Sequence, residues 1–215
     1  LMPFGGEMEE YDIRKMAVDL SGHGGGDPGA LSVVGEEGVY ESEINLANTM
    51  AIAESLEKLG ADIILITAGE EKLDSYQRTD PARYGYADVY ICCHANSVAE
   101  NAPANLWCGT YVYYHYDQSA EFAKLLCDYI SAETKRDNEG AQQDYYSVTR
   151  LTMCPAVMLE VGFVSNVGED FDKYYGQWMK DNDFSYEGIK VKAKRCSYTC
   201  VEYHPDGTWH EYTIY

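Results

Sequence analysis

Short apolar runs that end on glycine or on a polar side chain alternate with stretches of helical periodicity, and this alternation restricts the fold more than any other feature of the chain. Met16–Leu20 is apolar and runs into Gly22-His23-Gly24-Gly25-Gly26-Asp27-Pro28-Gly29, which is too glycine-rich for regular structure. From Glu43 to Leu59 the apolar positions 46, 50, 53, 56 and 59 keep a helical period, and Gly60 is placed to stop the helix. Asp62–Thr67 is apolar on both faces, as in a strand covered by helices above and below. A loop and a helical segment over Asp74–Tyr86 follow, then a buried strand Asp88–Cys93 closed by His94-Ala95-Asn96, and a tyrosine-rich strand Thr110–His115. Ser119–Ala132 returns to helical spacing, with Phe122, Leu125, Leu126, Tyr129 and Ile130 on one side, and Ala156–Val161 is a last apolar strand with Glu160 at its end. The pattern predicts an α/β fold: a mixed, mostly parallel sheet with helices on both faces.

The tail differs in kind. Pro205-Asp206-Gly207-Thr208 is a turn signal between strand-like Tyr198–His204 and Trp209–Tyr215, and Ile189–Ala193 alternates apolar residues with lysine. A small β-hairpin or three-stranded sheet is expected there. The formal charge of −20 comes from 16 basic and 36 acidic residues, yet Gly188–Tyr215 is slightly basic. The shift marks a boundary, giving a domain over 13–182 and a β-rich C-terminal appendage over 186–215. So acidic a surface repels polyphosphate, which argues against nucleic acid as a partner. No apolar stretch approaches the ~18–20 residues of a membrane span. Seven cysteines, two of them adjacent at 92 and 93 inside an apolar run, read as mostly reduced core residues and not as a disulfide framework. Leu1–Glu10 lacks the basic and apolar regions of a signal peptide; residue 1 is not methionine, so a trimmed leader is compatible with the sequence.

In open α/β sheets, ligands gather outside the carboxyl ends of the strands. His23, His94 and Glu160 stand where apolar strands give out, and Glu41 stands at the start of the first helix. Two histidines and a carboxylate can hold zinc with one coordination position open, leaving a second carboxylate to work on water. Gly24-Gly25-Gly26-Asp27-Pro28-Gly29 formally fits a dinucleotide fingerprint, but the segment after it is bounded by Pro28 and Gly35 and does not open a helix. The glycines suit a loop that lets backbone approach a metal ligand. His115, His204 and His210 read as structural or surface residues, Arg78 and Arg150 as ion-pair partners or anion-steering groups, and Trp107 as the aromatic nearest substrate.

Four segments together resemble the zinc-dependent N-acetylmuramoyl-L-alanine amidases of the Amidase_3 type. They are Asp19-Leu20-Ser21-Gly22-His23-Gly24-Gly25-Gly26-Asp27-Pro28-Gly29-Ala30, Glu41-Ser42-Glu43-Ile44-Asn45-Leu46, Val89–Asn96 ending in His94-Ala95-Asn96, and Pro155–Asn166. The last is the most specific, and the resemblance spans about residues 13 to 180. Ser21 intrudes before Gly22, and Cys92-Cys93 replace the family's usual residues. The resemblance implies that His23, Glu41 and His94 hold Zn2+, that Glu41 serves in place of Glu43, and that Glu160 is the catalytic carboxylate. It also implies peptidoglycan as the partner: the bond cut joins N-acetylmuramic acid to L-alanine, so the place of action is the cell wall, outside the cell or reached by a phage route. A non-catalytic wall-binding module and a zinc carboxypeptidase-like peptidase are the competing readings. The first has no need of Glu160, and the second needs an arginine for the substrate carboxylate.

Overall fold

The structure is a computed structural model that describes residues 15–19, 23–24, 26–32, 38–66, 72–99, 107–166, 198–203 and 209–214. Six strands form one sheet: β1 (Lys15–Asp19), β2 (Asp62–Ile66), β3 (Val89–Asn96), β4 (Thr110–Tyr114), β5 (Asn138–Gln143) and β6 (Ala156–Phe163), in the order β2-β1-β3-β6-β4-β5. Neighbours are parallel except β4 against β6. The mixed, mostly parallel sheet read from the alternation is therefore present. β7 (Tyr198–Tyr203) and β8 (Trp209–Ile214) pair antiparallel as a separate two-stranded sheet, the hairpin expected around Pro205–Thr208. The expected third strand, Ile189–Ala193, lies outside the described residues.

Helices α1 (Glu41–Lys58) and α3 (Ala120–Thr134) cover one face, while α2 (Ser75–Tyr84) and the single turn α4 (Ser147–Arg150) cover the other. Strand pleating sends alternate residues to the two layers. Ile91, Cys93, Val157 and Leu159 meet Ile44, Ala123 and Cys127 on the α1/α3 side. Tyr90, Cys92, Ala156 and Met158 meet Ala82 on the α2 side. Cys92, Cys93, Cys108, Cys127 and Cys154 are free thiols.

The starts of α2 and α1 have a local cause. Asp74 accepts from the Tyr76 and Gln77 amides at 2.8 and 2.9 Å, and the Gln77 side chain accepts from the Asp74 amide in return. This capping box gives definition to what the sequence marks only as a loop and helical stretch. At α1, Glu43 reaches back to the Tyr40 amide at 2.9 Å, which uses Glu43 as a cap and leaves Glu41 to point elsewhere. α1 ends at Lys58, and two residues on Gly60 has φ +94°, the left-handed geometry that glycine adopts without steric cost.

Four expectations need correction. β2 is an edge strand, with Asp62 exposed and Ile63–Leu65 half-buried, because only β1 pairs with it. β3 does not stop at Cys93: it continues through Asn96, paired with β6, with a register shift between His94 and Asn96. On α3, Leu125 and Tyr129 are exposed; the buried stripe is Ala123, Cys127 and Ser131, flanked by Phe122, Leu126 and Ile130. Finally, β5 and α4 have no counterpart in the sequence reading; β5 (Asn-Glu-Gly-Ala-Gln-Gln) is a polar outer strand that owes its form to pairing with β4.

Candidate metal centre

β1, β3 and β6 are parallel, so Asp19, His94 and Glu160 arrive at the same carboxyl edge of the sheet. Beyond β1, Gly24 and Asp27 close a tight turn through paired backbone bonds of 2.7 and 3.2 Å. Gly24, Gly26 and Gly29 all have positive φ, and a bridge from Leu31 to Tyr40 follows where a dinucleotide site would need a helix. The Glu41 amide donates to the Ala30 carbonyl at 2.8 Å and the Ser42 amide to that of Pro28 at 3.1 Å, so this loop lies against the start of α1. Gly29 is where the packing admits no side chain. A Cβ there would stand 2.6 Å from His23 Cδ2 and 2.7 Å from Glu41 Oε2, and its φ of +69° also favours glycine.

Three of the four residues singled out by sequence meet directly. His23 Nε2 lies 3.1 Å from Glu41 Oε2, and His94 Nδ1 lies 3.0 Å from Glu41 Oε1. The two imidazoles stand edge to face with centroids 5.3 Å apart. One donor atom from each of the three residues falls within 4.8 Å of the others. Two ligands bound tetrahedrally at ~2.0–2.1 Å are roughly 3.3 Å apart, so the spacing of nitrogen and carboxylate oxygen suits zinc. Glu41 is buried and also accepts from the Ala30 amide, the Ala95 amide and Asn45 Nδ2. Burial alone would raise its pKa, but the hydrogen bonds and charge of His23 and His94 outweigh it and hold the carboxyl well below the usual range. The bond to Glu41 raises the His23 pKa against the opposing effect of burial, helped by the charges of Glu41 and Asp27.

Glu160 is the register neighbour of His94 across β3 and β6, so its side chain leaves the sheet on the same face. It is buried, and its Oε2 has no hydrogen-bond partner. Burial first, and the negative charge of Glu41 second, push its pKa well above the carboxylate range. A buried, unpartnered carboxyl in register with His94 and within electrostatic reach of Glu41 is costly as a structural feature. It fits a place where a cation and a polar substrate complete the set. The donor chemistry of His23, Glu41 and His94 therefore fits a zinc ion.

The other candidates are elsewhere. Arg78 is buried and paired with Asp19 at 3.5 Å, so it does not face incoming ligand. Arg150 lies 4.5 Å over the Tyr145 ring, and His115 Nδ1 meets the Asp144 carbonyl at 3.0 Å. Trp107 is half-exposed, and its carbonyl accepts from Asn166 Nδ2 at 2.7 Å just past the end of β6. Of His210 only the backbone is described, and His204 lies outside the described residues. Two residues near the site were assigned no role from sequence, Asn45 and Asp27. The first was legible in principle, since i to i+4 spacing on α1 sets Asn45 beside Glu41; the second depends on how the glycine loop closes.

A family profile described as N-acetylmuramoyl-L-alanine amidase matches residues 18–184. The protein YqiI of Bacillus subtilis is 29% identical over 178 residues, which is 80% of this chain and 81% of that one. The Staphylococcus aureus protein named "Probable cell wall amidase LytH" is 32% identical over 145 residues; the match takes in 67% of this chain and 46% of LytH, so the chain corresponds to about half of that relative. Among solved structures, the catalytic domain of CwlV, an N-acetylmuramoyl-L-alanine amidase from Bacillus (Paenibacillus) polymyxa var. colistinus, is similar with a TM-score of 0.63 and 28% identity, over 80% of this chain and all of that one. An N-acetylmuramoyl-L-alanine amidase from Clostridium difficile 630 gives a TM-score of 0.65 at 25% identity, over 78% and 91% of the two chains.

Proposed function

The chain belongs to the N-acetylmuramoyl-L-alanine amidase family and is an enzyme of that class, a hydrolase of peptidoglycan; from that premise we propose that it is zinc-dependent and cuts the amide between N-acetylmuramic acid and the L-alanine of the stem peptide. The observation that carries this reading is the meeting of His23, Glu41 and His94 beside an unpartnered Glu160. His23, Glu41 and His94 hold the cation, and Glu160 is the catalytic carboxylate. We further assign 13–182 as the catalytic unit and 186–215 as an appendage whose hairpin forms its own sheet.

An amide is a weak electrophile with a poor leaving group. Zinc held by these three ligands would lower the pKa of water towards ~7 and polarise the scissile carbonyl. Glu160 accepts the proton of the attacking water and delivers one to the departing alanine nitrogen. Burial raises the affinity of the Glu160 carboxyl for a proton, which favours the acid half of that exchange. Glu41, held low and saturated with hydrogen bonds, stays anionic and serves as a ligand only. Burial of Arg78 against Asp19 takes that residue out of the running as the carboxylate-binding arginine of a carboxypeptidase. The relative named as a probable cell wall amidase suits a place of action in the wall, outside the cell or by phage delivery. No described helix is long and apolar enough to cross a membrane.

Metal analysis of the purified protein followed by mass spectrometry of digested peptidoglycan tests the reading. It requires about one zinc per chain and free stem peptides with an L-alanine N-terminus. Loss of a C-terminal residue instead would make the protein a carboxypeptidase, and an undigested wall would make it a binder.

A further inference from the structure

Asp27 touches His23 from the side opposite Glu41. Its Oδ1 is 3.2 Å from His23 Nδ1, while Nε2 on the far side of the ring faces Glu41. The other carboxylate oxygen, Oδ2, is 2.6 Å from Lys72 Nζ, and the Gly29 amide donates to Oδ1 at 3.4 Å. Asp27 is thus fixed at three points: by the Gly24 turn in its backbone, by Gly29, and by a lysine just before α2.

A histidine that gives one nitrogen to a metal carries its proton on the other, and whatever accepts that proton sets the tautomer and the ring plane. His23 Nδ1 is shielded from solvent and makes no aligned hydrogen bond. The Asp27 carboxylate is within ion-pair range of it but oblique, so it acts on this nitrogen by charge. We propose that Asp27, braced by Lys72, is a positioning residue that keeps the His23 proton on Nδ1 and so presents Nε2 to the cation. It acts through His23 and touches neither substrate nor metal. The inference rests on His23 being a zinc ligand.

The test is zinc affinity, read by competition with a chromophoric chelator on the full chain, together with the melting temperature of the metal-free protein. Asp27→Ala is expected to weaken zinc binding ~10- to 100-fold, the range for loss of such a partner. Asp27→Asn, which keeps the shape of the side chain and removes its charge, is expected to weaken zinc binding nearly as much as Asp27→Ala, and Lys72→Ala has a smaller effect than either. A merely structural role would lower the metal-free melting temperature of Asp27→Ala and leave zinc affinity per folded molecule unchanged. Asp27→Ala within twofold of wild type, or Asp27→Asn within a few-fold of wild type, overturns the proposal while the zinc reading stands. A wild-type protein without zinc affinity overturns both.

Discussion

Two buried carboxylates stand at the same edge of the sheet with basic groups around them, and they come to opposite ends. Asp19, fully buried, is closed in: Arg78 donates at 3.5 Å, the Tyr90 hydroxyl at 2.7 Å and the Cys92 thiol at 3.6 Å. Burial and the neighbouring Asp19 push the Tyr90 hydroxyl and the Cys92 thiol far up in pKa, so both remain protonated donors. Glu41 instead spreads its oxygens between two imidazoles that are each partly open to solvent, with the unpartnered Glu160 nearby. A guanidinium never gives up its charge and never ligates a metal, so it seals a carboxylate; imidazoles can lose a proton and turn a carboxylate into part of a ligand set. The choice of basic partner separates a structural knot from the proposed metal centre.

The largest expected effect lies on the open side. Glu160→Gln keeps zinc and the fold but lowers the hydrolysis rate ~10²- to 10⁴-fold, measured as kcat on purified peptidoglycan. A variant within a few-fold of wild type would remove Glu160 from the chemistry. On the closed side, Arg78→Met leaves Asp19 buried without its cation, and the expected cost in a urea titration is ~3–5 kcal/mol. Zinc affinity of the folded fraction should be unchanged; a parallel loss of affinity would show that the two clusters act as one. The smallest effect is that of Tyr90→Phe, which removes one bond to a charged acceptor while Arg78 and Cys92 remain. It should lower stability by ~1.5–3 kcal/mol at most, again without moving zinc affinity. If Tyr90→Phe cost more than Arg78→Met, the hydroxyl and not the guanidinium would be the main support of Asp19.

Much of this was legible before any coordinates, because periodicity and punctuation are local. The helix over Glu41–Lys58 and the strand around Ala156–Phe163 follow from residues adjacent in sequence. Where pattern and structure part, the cause is a neighbour remote in sequence. β5 is a strand only because β4 lies beside it, and Gly140, with φ +90°, sits next to the register shift of that pair. On α3 the sequence favoured the large residues Leu125 and Tyr129 as inward-facing. The helix turns small Ala123 and Cys127 inward instead, which lets it lie close enough for Cys127 Sγ to reach the Thr110 carbonyl at 3.3 Å. The side chains at the site were legible as types at strand ends, and their grouping by resemblance; which arginine would be sequestered was not.

What the sequence determined by itself is the elements other than β5 and α4, and the polar residues at their ends, since hydrophobic period, glycine and capping chemistry act over a few residues. The tertiary structure alone decided which nitrogen of each imidazole faces Glu41, that Glu160 is left without a partner while Asp19 is saturated, and that Asp27 stands behind His23. Those outcomes depend on the order and register of β1, β3 and β6 and on how the glycine loop folds over α1. Each is a contact between groups far apart along the chain, or across a turn whose shape that packing sets, and angstrom distances of this kind are fixed only once the layers have closed on one another.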